Sequence, residues 1–115
     1  MILITGPLYS GKKAFAAKLL HCTQQQLGQY AVWDVQRLAA GCPDPESLEA
    51  LADRLAEHGV VIATEVGGGV VPVDPDQRAE REAAGRLACL LAERADTVVR
   101  VFCGLPMVLK GTIEE

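Results

Sequence analysis

The sequence predicts a three-layer α/β domain built on a mostly parallel sheet of about four core strands. Three observations carry this. Short apolar runs of strand length, at 1–5, 60–63 and 96–103, alternate with longer stretches whose apolar residues recur at helical spacing. The run Val60-Val61-Ile62-Ala63 is unbroken rather than alternating, as in strands covered by helices on both faces. The first run leads straight into a glycine-bounded loop, and a helical pattern departs from that loop. At 115 residues the chain is expected to form one domain, 1–115.

The first strand is Met1-Ile2-Leu3-Ile4-Thr5, and Gly6-Pro7-Leu8-Tyr9-Ser10-Gly11-Lys12-Lys13 follows it. Gly6 and Gly11 admit backbone conformations that a Cβ would forbid, so successive N–H groups can turn inward and form a concave anion site. The helix that follows adds its free N-terminal N–H groups and the positive end of its dipole. This is the pattern of a phosphate-binding loop in a P-loop NTPase-like fold, with Lys12 reaching the β- and γ-phosphates of a nucleotide. The competing reading is a tight strand-to-helix turn without a ligand. One position departs from the pattern: Lys13 stands where Ser or Thr would offer a hydroxyl to Mg²⁺. An ammonium has no lone pair for a metal, and two unit charges about 4 Å apart repel by roughly 4 kcal/mol at an effective dielectric near 20. Either the metal is held without this residue, or Lys13 neutralises phosphate charge in its place.

The helix after the loop is expected from Lys12 to about Gln26, with Phe15, Ala16, Leu19, Leu20 and Cys22 near one face. Gln29-Tyr30-Ala31-Val32-Trp33-Asp34-Val35 reads as a short strand with an acid at its C-terminal end. Parallel sheets keep their ligand-binding groups at that end, so Asp34 is the candidate acid for Mg²⁺; otherwise it is an exposed turn or cap residue. Asp44 is an N-cap with Pro45 at the first helical position, and Leu48, Leu51, Ala52 and Leu55 carry that helix to the stop at Gly59. The strand Val60–Ala63 delivers Thr64 and Glu65 to the same sheet edge as the loop. Three glycines, Gly67 to Gly69, then suggest close backbone approach to a ligand, a mobile lid or an irregular crossover. Asp74, Pro75 and Gln77 restart a helix to about Arg94, with Ala79, Ala83, Leu87, Leu90 and Leu91 as its stripe. A last core strand lies at 96–103, followed by an exit loop and short edge segment at 104–111 and a frayed acidic end.

Composition excludes several function classes. The net charge of −4 leaves no basic surplus for general nucleic-acid binding. Half the residues are hydrophobic and 23% charged, as in a globular domain. No apolar run approaches the ~20 residues needed to cross a bilayer, and the first residues lack a basic leader and cleavage site, so a cytoplasmic location is expected. Cys22, Cys42, Cys89 and Cys103 form no C-x-x-C pair and read as reduced thiols, with a metal site or disulfide as the other options. His21 and His58 sit near helix ends, where solvated cap partners are commoner than catalysts.

Taken together, I-L-I-T-G-x-x-x-S-G-K, T-E-V-G-G-G-V-V-P, R-x-x-R-E-x-A-G-R-L and G-L-P-M-V-L-K-G resemble the bifunctional adenosylcobinamide kinase / adenosylcobinamide-phosphate guanylyltransferase family of cobalamin biosynthesis. The resemblance implies a P-loop fold that phosphorylates the aminopropanol hydroxyl of adenosylcobinamide with ATP or GTP, and then transfers GMP through a histidine-bound intermediate. It also implies Mg²⁺ as cofactor and a homo-oligomer. Carried over by position, Gly6 to Lys13 form the nucleotide loop, Asp34 is the acidic strand-end residue, and Glu65 is the glutamate of the family's N-E-V-G block. Lys12, Asp34 and Glu65 are then the catalytic set, with Arg78, Arg81 and Arg86 as possible phosphate contacts. This chain departs from the family in lacking the segment between the first helix and the Asp34 strand, which carries the guanylylated histidine. It also has Lys13, Thr64 and Tyr9 where the family has serine, asparagine and arginine. The resemblance therefore implies the kinase half of the activity without the guanylyltransferase half, or a catalytically degenerate nucleotide-binding or partner-binding subunit.

Overall fold

The computed structural model describes residues 1–66 and 74–113. The three-glycine stretch read as a lid or crossover lies outside the described residues, as does the acidic end. The described chain forms a five-stranded sheet ordered β2-β3-β1-β4-β5. Its strands are β1 (Ile2–Gly6), β2 (Ala31–Val32), β3 (Val60–Thr64), β4 (Thr97–Phe102) and β5 (Leu105–Lys110). The first four pair in parallel and β5 returns antiparallel along β4, so the expected three-layer, mostly parallel α/β fold is what the chain forms.

Alternation along the strands divides the core. Leu3, Val61, Ala63 and Val98 face one layer, made by α2 (Pro45–Leu55), α3 (Pro75–Arg94) and a 3₁₀ helix at Val35–Gly41. Ile4, Val60, Ile62, Val99 and Val101 face the other, where α1 (Lys12–Leu19) contributes Ala16 and a 3₁₀ turn at Leu27–Gln29 contributes Leu27. Both faces of the central strands are thus buried, which is why β3 could be written as an unbroken apolar run.

Three boundaries differ from the sequence expectation. The first helix stops at Leu19 instead of running to Gln26. His21 takes a left-handed conformation (φ 54°), its N–H donates to the Lys18 carbonyl at 3.2 Å, and the Cys22 N–H donates to the Ala17 carbonyl at 3.0 Å. Those two bonds are a Schellman stop with histidine in place of the usual glycine. The glutamine run beyond it forms a separate turn in which Thr23 and Gln26 exchange backbone-to-side-chain bonds at 3.1 and 3.2 Å. The second strand shrinks to two residues because Asp34, also left-handed at φ 55°, turns the chain into the 3₁₀ helix. The third is α2, which stops at Leu55 with Ala56 as its C-cap instead of continuing to Gly59, whereas both remaining helix starts and the end of α3 at Arg94 agree with expectation. Asp44 accepts from the Ser47 N–H at 2.8 Å with Pro45 at the first position, and Asp74 caps α3 through the Asp76 N–H at 2.9 Å. Along α3 the buried residues are Ala84, Leu87 and Leu91; Ala83 and Leu90 pack at the margin and Ala79 is exposed.

Candidate functional site

The C-terminal ends of β1, β2 and β3 bring together the residues singled out by sequence. Gly6 closes β1 and Thr64 closes β3 in register with it, and the Glu65 N–H donates to the Gly6 carbonyl at 2.8 Å. Gly6 has φ 156°, and a Cβ there would meet the Val101 carbonyl oxygen and the Ser10 hydroxyl, so this position requires glycine. Gly11, at φ 92°, is the N-cap of α1 and gives it no side-chain cap. The first N–H groups of the helix are therefore left to a ligand or water, at the positive end of the dipole. Tyr9, with φ 60°, is the loop's tip, its side chain 94% exposed.

Lys12 lies within this cup. It is 8% exposed, and its ammonium donates to the Pro7 carbonyl at 2.7 Å, with Ser10 Oγ at 3.5 Å. Burial pulls its pKa below the ordinary lysine value, while the charges of Asp34 and Glu65 push it back up and that of Lys13 adds to the lowering. A buried cation held by one carbonyl is poised to exchange that partner for an anion. Lys13 points elsewhere in the same cavity. Its ammonium stands 4.6 Å from the centroid of the Trp33 ring. The cavity measures about 310 Å³ and is lined by Ser10, Lys12, Lys13, Gln24, Trp33, Asp34 and Thr64 among others.

Glu65 is placed differently from expectation. Its carboxylate receives both prongs of the Arg100 guanidinium, at 2.8 and 3.0 Å, and it lines a separate small cavity of about 180 Å³ beside Gln36 and Gly85. Arg100 was missed by sequence reasoning because nothing local marks it. It comes within reach of Glu65 because β1 separates β3 from β4, with Thr5 in register with both Ala63 and Arg100. Gln36 was missed for the same reason; its Oε1 accepts the Thr64 N–H at 2.9 Å and ties the 3₁₀ helix after Asp34 to the end of β3. Arg86 pairs with Glu82 on the exposed face of α3 at 3.1 Å and lines the groove between α2 and α3. The residues around the loop cavity include none of Arg78, Arg81 and Arg86.

The donor set decides whether Mg²⁺ fits. That ion takes a near-octahedral shell of oxygens. The position after Lys12 supplies an ammonium, Glu65 is engaged by Arg100, and Asp34 alone offers a carboxylate to the cavity. Among the described residues no group of three or more His, Cys, Asp or Glu could hold a metal. Of the protein groups lining the cavity, Asp34 alone offers Mg²⁺ a carboxylate, so most of the ion's oxygen shell would have to come from phosphate and water.

Residues 38–109, well over half of the chain, match the family described as cobinamide kinase / cobinamide phosphate guanyltransferase. The glycine loop precedes the matched residues. The bifunctional adenosylcobalamin biosynthesis protein CobP of Pseudomonas aeruginosa is 39% identical over 77 residues, covering 61% of this chain and 44% of that protein. The chain thus spans under half the length of this curated relative.

Proposed function

Because the chain belongs to the cobinamide kinase / cobinamide phosphate guanyltransferase family, we propose that it binds the polyphosphate of ATP or GTP at Gly6–Lys13 and acts in cobalamin biosynthesis as a kinase of adenosylcobinamide. The observation that carries the nucleotide reading is Lys12, buried in a glycine-bounded loop at an uncapped helix N-terminus with only loop oxygens as partners. Phosphoryl transfer asks the protein mainly for positioning and charge stabilisation. Lys12 would hold the transferring phosphate, Lys13 would supply a second fixed cation, and Asp34 would receive the proton of the acceptor hydroxyl. Glu65, paired with Arg100, would serve by its charge near Lys12 rather than by touching the substrate.

A second reading, a degenerate subunit that binds nucleotide without turning it over, is favoured by Lys13 and by the closed Glu65–Arg100 pair. One experiment separates the two: the purified chain is incubated with adenosylcobinamide and ATP or GTP, with and without Mg²⁺, and the phosphate ester is sought by chromatography and mass. The ester is the expected product; its absence alongside measurable nucleotide binding supports the degenerate reading. Intact mass of the same samples is expected to show no added GMP, because the resemblance places the family's guanylylated histidine in a segment between the first helix and the Asp34 strand that this chain is read as lacking. A GMP adduct lost on substituting His21 or His58 would overturn that expectation.

The family reading extends to assembly. Strand β5 is the last of the sheet among the described residues and is exposed along its whole length, with Met107 54%, Val108 42% and Leu109 57% accessible. An apolar strand edge of this kind invites pairing with another chain, and a second copy is the occupant proposed here. Light scattering should return a mass above that of one chain at micromolar concentration; a monomer throughout would rule this out.

A further inference from the structure

The chain has two tyrosines, two phenylalanines and one tryptophan, and of these Tyr9 and Trp33 line the cavity of the phosphate loop. Both keep apolar surface accessible to solvent there. The face of the Trp33 ring is nonetheless covered, because the Lys13 ammonium stands 4.6 Å from its centroid. We propose that Trp33 is the platform for the flat ring system of the acceptor and that Lys13 covers it until a polyphosphate on the loop draws the ammonium away, so that phosphate binding opens the acceptor site. This inference rests on the kinase reading above.

Three observations carry it. The first is position. Trp33 directly precedes Asp34, and both line the cavity that Lys12 lines. In the kinase reading the acceptor hydroxyl meets the phosphate held by Lys12 and gives its proton to Asp34, so the body of the acceptor lies beside these residues and against the indole. The second is chemistry. Adenosylcobinamide carries a corrin macrocycle and an adenine, both flat, and a fringe of amides. An indole face suits a flat ring, while Gln24 and Thr64 in the same cavity supply the side-chain amide and hydroxyl that pair with neutral amides. The third is coverage. The far edge of the ring lies close to the backbone, for a Cβ on Gly28 would stand 3.5 Å from Trp33 Cη2. Lys13 lies over the ring and lines the same cavity, so a ligand entering there meets the ammonium before the indole. Phosphate oxygens offer that ammonium a stronger partner than the ring does. The coupling between phosphate and acceptor equals the worth of the contact that phosphate removes, about two- to fivefold for an ammonium on an exposed indole.

The test is calorimetry with adenosylcobinamide, without and with saturating inorganic tripolyphosphate. Tripolyphosphate supplies the phosphate chain and no nucleobase that could itself stack on the indole. The native protein is expected to bind the acceptor about two- to fivefold more tightly when tripolyphosphate is present. Lys13→Ala should bind it equally in both conditions, at the tighter level. Trp33→Leu should weaken acceptor binding at least fivefold in both, and Trp33→Phe should keep most of the native affinity. Tripolyphosphate should bind Trp33→Leu no more weakly than the native protein, because the substitution removes only a competitor for Lys13; this also verifies the fold. Acceptor binding that ignores tripolyphosphate in the native protein, that survives Trp33→Leu unchanged, or that does not occur would overturn the proposal and leave the nucleotide loop standing. Failure of both ATP and tripolyphosphate to bind the native protein would overturn both, while the kinase reading is judged separately by the phosphate ester.

Discussion

Replacing Lys12 by alanine should weaken ATP and GTP binding by more than tenfold, which is about 1.4 kcal/mol. The ammonium is surrounded by the loop, and its present partners are a carbonyl and a hydroxyl rather than a carboxylate. A charge-assisted bond to phosphate is roughly twice as strong as the neutral bonds it replaces, and the buried setting leaves it less screened than a surface pair. Loss of the Pro7 bond could also loosen the loop itself, so Lys12→Gln is the control: it keeps a donor and removes the charge. Equal losses in the two variants identify the charge as the cause, whereas a near-native glutamine variant identifies the loop's internal bond. The pH dependence has a definite sign. Burial lowers the pKa of the free ammonium below the lysine value of 10.5, and a bound phosphate would raise it. Affinity is therefore full below the free-state pKa and falls as pH rises through it, starting earlier than an exposed lysine would cause. Absence of nucleotide binding to the native protein at millimolar ligand, or an alanine variant within about twofold of it, would sink the assignment.

What the sequence showed of this architecture, and what it hid, follows from how local each signal is. The central strands were legible because burial on both faces leaves an unbroken apolar run, as in Val60–Ala63, and the caps at Asp44 and Asp74 were legible because the partner lies within three residues. The end of α1 was not, because His21 carries no sequence mark of a left-handed stop, and Cys22 just beyond it continues the apolar face of Phe15, Leu19 and Leu20. At the site, the loop and its lysine are contiguous and could be read directly. The contacts that qualify their neighbours are not: Arg100 lies 35 residues from Glu65, and Trp33 reaches Lys13 only once β2 and α1 are laid on the same edge of the sheet. A motif names the residues a reaction would use, while sheet register decides which of them are already committed to another partner.

Lys13 is where that distinction has its largest consequence. The indole face attracts the ammonium by about 0.5–1 kcal/mol at an exposed site, and Trp33 is 37% exposed. Attraction to a phosphate oxygen about 4 Å away amounts to roughly 4 kcal/mol per unit charge at an effective dielectric near 20. A polyphosphate in the loop should thus draw Lys13 off the ring and use it in place of a metal's charge. Nucleotide affinity is then expected to change little when Mg²⁺ is removed. Trp33 is the chain's single tryptophan, so its fluorescence should shift on binding and report the departure of the cation. Lys13→Ser removes that fixed charge and restores an oxygen beside Asp34, and should make binding at least tenfold tighter with Mg²⁺ than without. If the native protein already binds nucleotide tenfold more tightly with Mg²⁺ and Trp33 emission stays constant, Lys13 remains on the ring. The metal must in that case be served by Asp34, or by Glu65 after release from Arg100, and the balance between the two functional readings moves toward the kinase.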